Sequence, residues 1–488
     1  MSENKSAKNS QPESSNNDNT SSAKEQPKES WTVIILAAGK GTRMASPLPK
    51  VLHPVAGRPM IERIIQVCKK SGIQDIRVVV GHGLNLVKSI VEPLGVQVHT
   101  QVQQLGTADA VKASNIETIE GNTLIINGDH PLIQEEDLTG FMKSFVDSKS
   151  DLSVVTTKLK KPGSFGRIVR SLGQLKAIVE AKDASADTLK INEINTGIYL
   201  VRGDVLNDYL PKIRNNNSQK EYYLTDLVSL AIEDQLKVTT IAGKRRVSHG
   251  VNNQIELSQA TRYIYLKKMR SLLEAGVVIL NPHQTYIEDT VKVGAGTVIY
   301  PGTFLRGQTD IGSFCVIESN CFISDSTIEH SVQIKAGSYI EKSVVKSKAS
   351  LGPYARLRPE TYIGEEAHIG NFVELKKVIF GAKSKAGHLS YLGDAEIGED
   401  TNIGCGTITC NYAVDKKKYK TKIGSHVFVG SDSQFVAPVE IGDHAVIASG
   451  STITENVPER ALGVARGKQY VKENYVKKEA DVSEESQG

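Results

Sequence analysis

From Val293 onward, aliphatic side chains recur at every sixth residue: Val293, Ile299, Leu305, Ile311, Ile317 and Ile323. The phase slips by one and resumes with Ile328, Ile334 and Ile340; a second slip gives Val345, Leu351, Leu357, Ile363, Ile369 and Leu375. Near the end Ile423, Val429, Phe435, Ile441, Ile447 and Ile453 restore the register. Such a period marks a parallel β-helix, in which each hexad forms one flat side and three sides make a coil. The aliphatic residues then stack inside. Glycines that often follow them, as at Gly294, Gly312, Gly364, Gly370, Gly398, Gly404, Gly424 and Gly442, support the corners. Hexads do not by themselves imply catalysis, since many such helices are structural or regulatory.

The first half obeys a different period. From Trp31 to about Asn253 short apolar runs (Thr32–Leu36, Arg77–Val80, Thr123–Asn127, Leu152–Thr157, Gly197–Val201) predict strands, with helical patterns such as Met60–Cys68 between several of them. That alternation predicts an α/β domain, whose ligands bind beyond the carboxyl ends of the strands. A chain of 488 residues holds two or three domains. The pattern divides it into a polar tail over 1–30, an α/β domain over 31–253, a linker helix over 254–275 stopped by Gly276, a β-helix over 276–460 and a C-terminal segment and tail over 461–488. The first 30 residues lack the apolar content to build a core and are expected to be disordered, as are those beyond about Lys472. A net charge of +4 gives no case for nucleic acid, and no apolar run approaches a membrane span. The N-terminal stretch has no hydrophobic segment for secretion, and it lacks arginine and carries several acids, unlike a transit peptide. The five cysteines are odd in number and lack C-x-x-C spacing, which suits reduced thiols in a cytoplasm.

Chemistry concentrates in a few motifs. Thr32–Leu36 runs into Leu36-Ala-Ala-Gly-Lys-Gly-Thr-Arg-Met44, followed by Pro49-Lys50. Glycines let a backbone approach phosphates and turn N–H groups on them, and Arg43 and Lys50 can offset the charge. The spacing fits neither the Walker nor the Rossmann loop. Gln101-x-x-Gln104-Leu-Gly-Thr107 supplies amides, and Gln suits a uracil edge because it donates and accepts. Asn127-Gly-Asp129 ends a buried strand with a carboxylate able to hold Mg²⁺. Ile194-Asn195-Thr196-Gly197 and Gly250-Val-Asn252-Asn253 complete the set. Among the hexads, Asn371–Lys377, Lys385–Asp394 and Cys410-Asn-Tyr412 put polar residues where a structural coil wants aliphatics. There His388, with an ordinary pKa near 6.5, is the natural general base, and Arg358, Glu374, Lys376 and Tyr391 lie on neighbouring motifs.

The glycine-rich loop resembles the signature loop of sugar-nucleotide pyrophosphorylases, and the hexads resemble those of hexapeptide-repeat acyltransferases, which implies a left-handed prism. Taken together, residues 31–468 resemble the bifunctional N-acetylglucosamine-1-phosphate uridylyltransferase/glucosamine-1-phosphate N-acetyltransferases. The resemblance implies that Leu36, Ala38 and Gly39 contact the nucleotide and that Gln101, Gln104, Gly106 and Thr107 frame the uracil. Arg43 and Lys50 would neutralise phosphates, Asp129 and Asn252 would hold Mg²⁺, and the sugar would lie on Gly166, Glu180, Asn195, Tyr223, Thr225 and Asn252. In the second half it implies His388 as base, oriented by Glu374, with Arg358, Lys376, Tyr391 and Asn402 on the sugar phosphate. Asn411, Tyr412, Ser431, Ser449 and Arg466 would meet acetyl-CoA. The expected co-substrates are acetyl-CoA and UTP, the expected acceptors glucosamine-1-phosphate and N-acetylglucosamine-1-phosphate, and the expected assembly a cytoplasmic homotrimer. Position 130 holds His where the family frequently has a small or aliphatic residue, and its side chain is expected to point away from the metal site. Position 449 holds Ser where the family often has Ala, a change that a backbone contact would survive. The lysines of the slightly long loop Ala413–Lys420 could attract CoA phosphates or form a solvated charge run. The rival reading is a sugar-1-phosphate nucleotidyltransferase whose β-helix is only structural or regulatory; a non-catalytic assembly protein would lack the intact cations, carboxylate and histidine.

Overall fold

The computed structural model describes residues 30–476. The polar tails expected at the two ends lie almost wholly outside the described residues; residues 472–476 are exposed and belong to neither helix nor strand. The described residues fall into two compact units, one of 30–39, 65–127 and 134–248, the other of 40–64, 128–133 and 249–476.

In the first unit the strand Trp31–Ala37 pairs in parallel with Asp75–Val80 on one side and Asn122–Asn127 on the other. Val33, Ile34 and Ile35 are completely buried there, which suits a β-branched run covered on both faces. The sheet runs in the order Val238–Ala242, Leu152–Lys158, Glu193–Arg202, Asn122–Asn127, Trp31–Ala37, Asp75–Val80, Gln97–Thr100. Glu193–Arg202 is antiparallel to both its neighbours, so the sheet is mixed. The chain moves outward to Gln97–Thr100 and then returns to Asn122–Asn127 on the opposite flank of the first strand. The crevice at the carboxyl ends of Trp31–Ala37 and Asn122–Asn127 is therefore the switch point where open α/β sheets take their ligands. Ile34, Val79 and Ile125 pack from the sheet against Val111, Leu206 and Leu227 of the helices.

In the second unit Asn253 caps the helix Gln254–Glu274 by accepting from Glu256 N at 2.9 Å, and Gly276 (φ +86°) follows its end. Met269 and Leu272 of this helix enter the same core as Ile279 and Ile287 of the first coil. Parallel coils follow to Leu462–Gly463. Every aliphatic residue of the six-residue pattern is buried except Val293, which is partly so. Lys292 pairs with Asp310, eighteen residues on, and Asp310 with Thr327, seventeen on: each phase slip removes one corner residue without breaking the stack. The corner glycines are needed for space. A Cβ on Gly364 or Gly398 would lie 2.5 Å from the backbone N of the next coil's Ala382 or Ser425. Left-handed corners are instead made by residues such as Phe314, Asp400 and His426, with φ of 59°, 52° and 57°. Among the described residues no helix is long and apolar enough to cross a membrane.

Candidate active sites

Arg43, Lys50, Asp129 and Asn252 come together in the second unit. Pro49 precedes a short turn, Lys50–Leu52, that buries Val51 and Leu52 and leaves the Lys50 ammonium to project. Gly41 (φ +63°) makes room for it, since a Cβ there would lie 2.6 Å from Lys50 Cβ. Lys50 Nζ donates to Asn252 Oδ1 at 2.7 Å and pairs with Asp129 Oδ2, while Arg43 Nη2 donates to the same Asn252 oxygen at 2.9 Å. The helix start fixes Asn252, whose N–H donates to Glu256 Oε2 at 2.6 Å, and Val251 N donates to Asp129 O at 2.9 Å. Burial alone would raise the Asp129 pKa, but the neighbouring His130 and Lys50 charges outweigh it and hold the carboxyl below its usual range.

His130 does not point away, as the sequence led us to expect. Its Nε2 lies 3.5 Å from Asp129 Oδ1, and Gly250 leaves it the room, because a Cβ there would come within 2.9 Å of that nitrogen. Asp129 Oδ1 is buried and accepts no hydrogen bond. One carboxylate with an unused oxygen, one amide oxygen and a lysine ammonium standing between them fit Mg²⁺, which takes few protein ligands and completes its shell with phosphates and water.

The residues expected on the base and the sugar belong to the first unit, except Asn252, which is in the second. Leu36 packs on the sheet core, Ala38 is buried and Gly39 faces open space. Gln104 is exposed and lies over Gly81, where an added Cβ would meet its Nε2 at 2.6 Å and Ala38 O at 3.0 Å. Gln101 is buried, with both amide hydrogens committed, to Gly106 O at 3.1 Å and Asp109 Oδ2 at 2.7 Å. It braces the loop, and its donors are not free for a base edge. Gly106 (φ +131°) sits against Tyr222, and Thr107 Oγ1 accepts from Leu224 N at 2.9 Å.

A register shift between Asn195 and Tyr199, with Gly197 at φ +79°, turns Asn195 so that its Nδ2 donates to Tyr199 Oη at 2.6 Å. Asn195 N donates to Gly166 O at 3.0 Å, and Gly166 adjoins Glu180. Glu180 is hydrogen-bonded to Thr225; burial first, then Asp183 and Asp226, push its pKa up. Burial and the same acids push Tyr223 up to about 12.

The residues expected to serve acyl transfer lie on successive coils of the β-helix. Arg358 Nη1 donates to Glu374 Oε1 at 2.9 Å, and Glu374 stands opposite Tyr391 in the next coil. No hydrogen bond joins Glu374 to His388, which is exposed and in register with Asn371; the expected Glu374–His388 pair is not formed within one chain, where Glu374 Oε1 instead accepts from Arg358. Gly393 lies beneath Tyr391 Oη and Asn411 Nδ2, which would sit 2.5 and 2.9 Å from an added Cβ. Asn411 also bonds Asp394, Tyr412 is exposed, and Asn402 follows Lys385 in register. Ser431 and Ser449 are exposed corner residues, and Arg466 Nη1 donates to the Ser449 carbonyl at 2.8 Å, a backbone contact indifferent to the side chain.

Sequence reasoning missed Lys418 as an individual. The extra loop folds back on itself through a Tyr412–Lys418 bridge and a Tyr419–Asp415 hydrogen bond of 2.6 Å. Lys418 thereby comes within hydrogen-bonding reach of Lys376, and its charge and that of Arg358 pull the Lys376 pKa down. Three cations converging in this way favour an anion. The signal in the sequence was the run of lysines, which does not say which one turns inward.

Residues 33–188 match the MobA-like NTP transferase domain, and residues 420–455 match the bacterial transferase hexapeptide of six repeats. Fold and side chains define a nucleotidyltransferase carried on one chain with a hexapeptide-repeat transferase. The bifunctional protein GlmU of Bdellovibrio bacteriovorus is 64% identical over 456 residues, 93% of this chain and 100% of its own length. Those of Trichlorobacter lovleyi and Thermosipho melanesiensis are 44% and 46% identical, spanning 92% and 91% of this chain and 98% and 96% of theirs. The chain belongs to the GlmU family of bifunctional proteins.

Proposed function

We infer that this enzyme makes UDP-N-acetylglucosamine in two steps, acetylating glucosamine-1-phosphate on the β-helix and then joining the product to UTP in the α/β domain. The observation that carries the uridylyl step is the convergence of Lys50, Arg43, Asp129 and Asn252. A phosphate oxygen of N-acetylglucosamine-1-phosphate attacks the α-phosphorus of UTP; the bond from that phosphorus to the bridging oxygen breaks, and pyrophosphate leaves with the electron pair. The nucleophile is already an anion, so positioning and charge neutralisation carry the rate. Arg43 and Lys50 supply cationic donors to the phosphates. Asp129 and Asn252 would hold Mg²⁺, which when bound adds charge neutralisation at the phosphates. Gln104 is better placed than Gln101 to read the uracil edge, since its amide is exposed. Glu180, Asn195, Tyr223 and Thr225 would hold the sugar, with Gly166 closing in beneath.

In the acetyl step the amine of glucosamine-1-phosphate attacks the thioester carbonyl of acetyl-CoA, His388 removes the amine proton, and the CoA thiolate leaves. Arg358, Lys376, Lys418, Tyr391 and Asn402 would bind the sugar phosphate; Asn411, Tyr412, Ser431, Ser449 and Arg466 would line the path of acetyl-CoA. We infer a cytoplasmic homotrimer, as the family resemblance implies, in which a neighbouring β-helix completes this site and supplies the group that orients His388; the exposure of His388 in a single chain leaves room for such a neighbour. Functional boundaries at 31–253 and 276–460 complete the reading.

The test follows free CoA and pyrophosphate separately with glucosamine-1-phosphate, acetyl-CoA, UTP and Mg²⁺, on the natural chain and His388→Ala. We expect the variant to lose CoA release and keep pyrophosphate release from added N-acetylglucosamine-1-phosphate. A natural chain that never releases CoA would make the β-helix a scaffold.

A further inference from the structure

We propose that Asp289, in the first coil of the β-helix, is a positioning residue for uridylyl transfer, acting through Arg63 on the backbone that carries Lys50. The proposal rests on the reading of Lys50 given above. Immediately after the Lys50–Leu52 turn the chain forms a small hairpin, Pro54–Val55 against Arg58–Pro59. Arg63 is 6% exposed and spends its whole fork on this hairpin and the β-helix. Its Nε donates to Val55 O at 2.7 Å, Nη2 to Ala56 O at 3.0 Å and Nη1 to Asp289 Oδ2 at 2.7 Å.

The neighbouring Glu288 holds the hairpin tip. Gly57 (φ +85°) is so close that a Cβ there would lie 2.0 Å from Glu288 Oε1, and Glu288 is itself fixed by Arg306 Nε at 3.0 Å and Gly307 N at 2.8 Å in the next coil. Asp289, through Arg63, therefore clamps the hairpin to the first coil, and Glu288 packs against its tip. On its other face Val55 shares a buried cluster with Met44, adjacent to Arg43, and Val251, adjacent to Asn252. The hairpin that the clamp holds thus packs, through Val55, on the direct sequence neighbours of Arg43 and Asn252.

A surface ion pair kept only for stability would be worth little. Although the Asp289 carboxylate is partly open to solvent, the Arg63 fork is buried and each of its three nitrogens donates, two to carbonyls and one to that carboxylate. This fixes a direction, and misplacing a catalytic group by about 1 Å costs on the order of a hundredfold in rate.

The experiment measures both activities and the melting temperature of the full chain carrying Asp289→Ala, Asp289→Glu, Arg63→Lys and, in parallel, Lys50→Ala. We expect Asp289→Ala to lower uridylyl kcat about tenfold, with the KM for UTP within about threefold and CoA release unchanged, and Asp289→Glu to recover most of the loss. Arg63→Lys, which keeps the charge and loses the fork, should behave like Asp289→Ala and serves in its place should the alanine chain not fold. Unchanged uridylyl kcat, or a parallel fall of both activities with the melting temperature, overturns the proposal. Loss in Lys50→Ala with no effect at Asp289 sinks the clamp alone; no loss in Lys50→Ala sinks the reading beneath it.

Discussion

Lys50 shows how much chemistry a single position can carry. It bridges the Asp129 carboxylate and the Asn252 amide oxygen, which also accepts from Arg43, and on the proposed mechanism it stands where phosphate charge is met. A donor aimed at developing charge is commonly worth about 3–4 kcal/mol. Lys50→Ala should therefore lower the uridylyl rate at least about a hundredfold without touching acetyl transfer; an unchanged rate would remove it from the mechanism. The thiols make a second prediction. Burial pushes Cys68 up to about 12 and Cys321 up to about 11, and raises Cys315, whereas Cys410 is exposed. Alkylation at pH 8, read by mass spectrometry, should modify Cys410 in the native protein and the three buried cysteines only in denaturant. At this scale the sequence was legible where residue type dictates the chemistry: Arg43, Lys50, Asp129 and Asn252, singled out on separate motifs, do lie together. It was not where a side chain has two possible uses. Nothing in Gln101-x-x-Gln104 says which amide is consumed by its own loop, where Gly106 and Asp109 take the Gln101 donors, and nothing beside Asp129 says which way His130 turns, since the room for it is left by Gly250, far along the chain.

Among elements, the β-helix is the part written most openly, because each buried aliphatic residue is stacked on its equivalent one coil away. The stretch between Leu375 and Ile423 was the exception. Its core positions include Ala386 and Thr409, both buried, and small or polar residues erase the aliphatic signal although the coils continue. Gly364→Ala should lower stability by about 1–3 kcal/mol, since the added methyl meets the next coil's backbone; an unchanged urea midpoint would mean the coils yield. The strand Glu193–Arg202 carries a pH term. Arg170's hydrogen bonds hold the Glu193 carboxyl below its usual range, more than burial raises it. A lowered native pKa means the unfolded chain binds protons more readily, so this stability is present above the ordinary carboxylate value, about 4.3, and drains as pH falls through the native one. Glu193→Gln should flatten the acid limb of urea midpoints measured between neutrality and acid.

For the whole molecule, the grouping of 40–64 and 128–133 with the β-helix unit had no signature in the sequence, because it depends on long-range packing of Val55, Leu132 and Ala260 rather than on any period. If the acetyl site is shared between copies, dilution should abolish CoA release before pyrophosphate release, with light scattering reporting the change in mass; parallel loss of the two would argue against sharing. The helix Gln254–Glu274 has a bearing beyond linkage. Met269 and Leu272 close the open end of a stack whose first strands have no neighbour before them. A stack of identical rungs has no internal reason to stop, and an uncovered first rung is a template for any other chain's last. On this reading the helix guards the first rung against end-to-end growth: replacing Met269 and Leu272 with polar residues should give fibres visible by electron microscopy, and a chain that stays dispersed would argue against it.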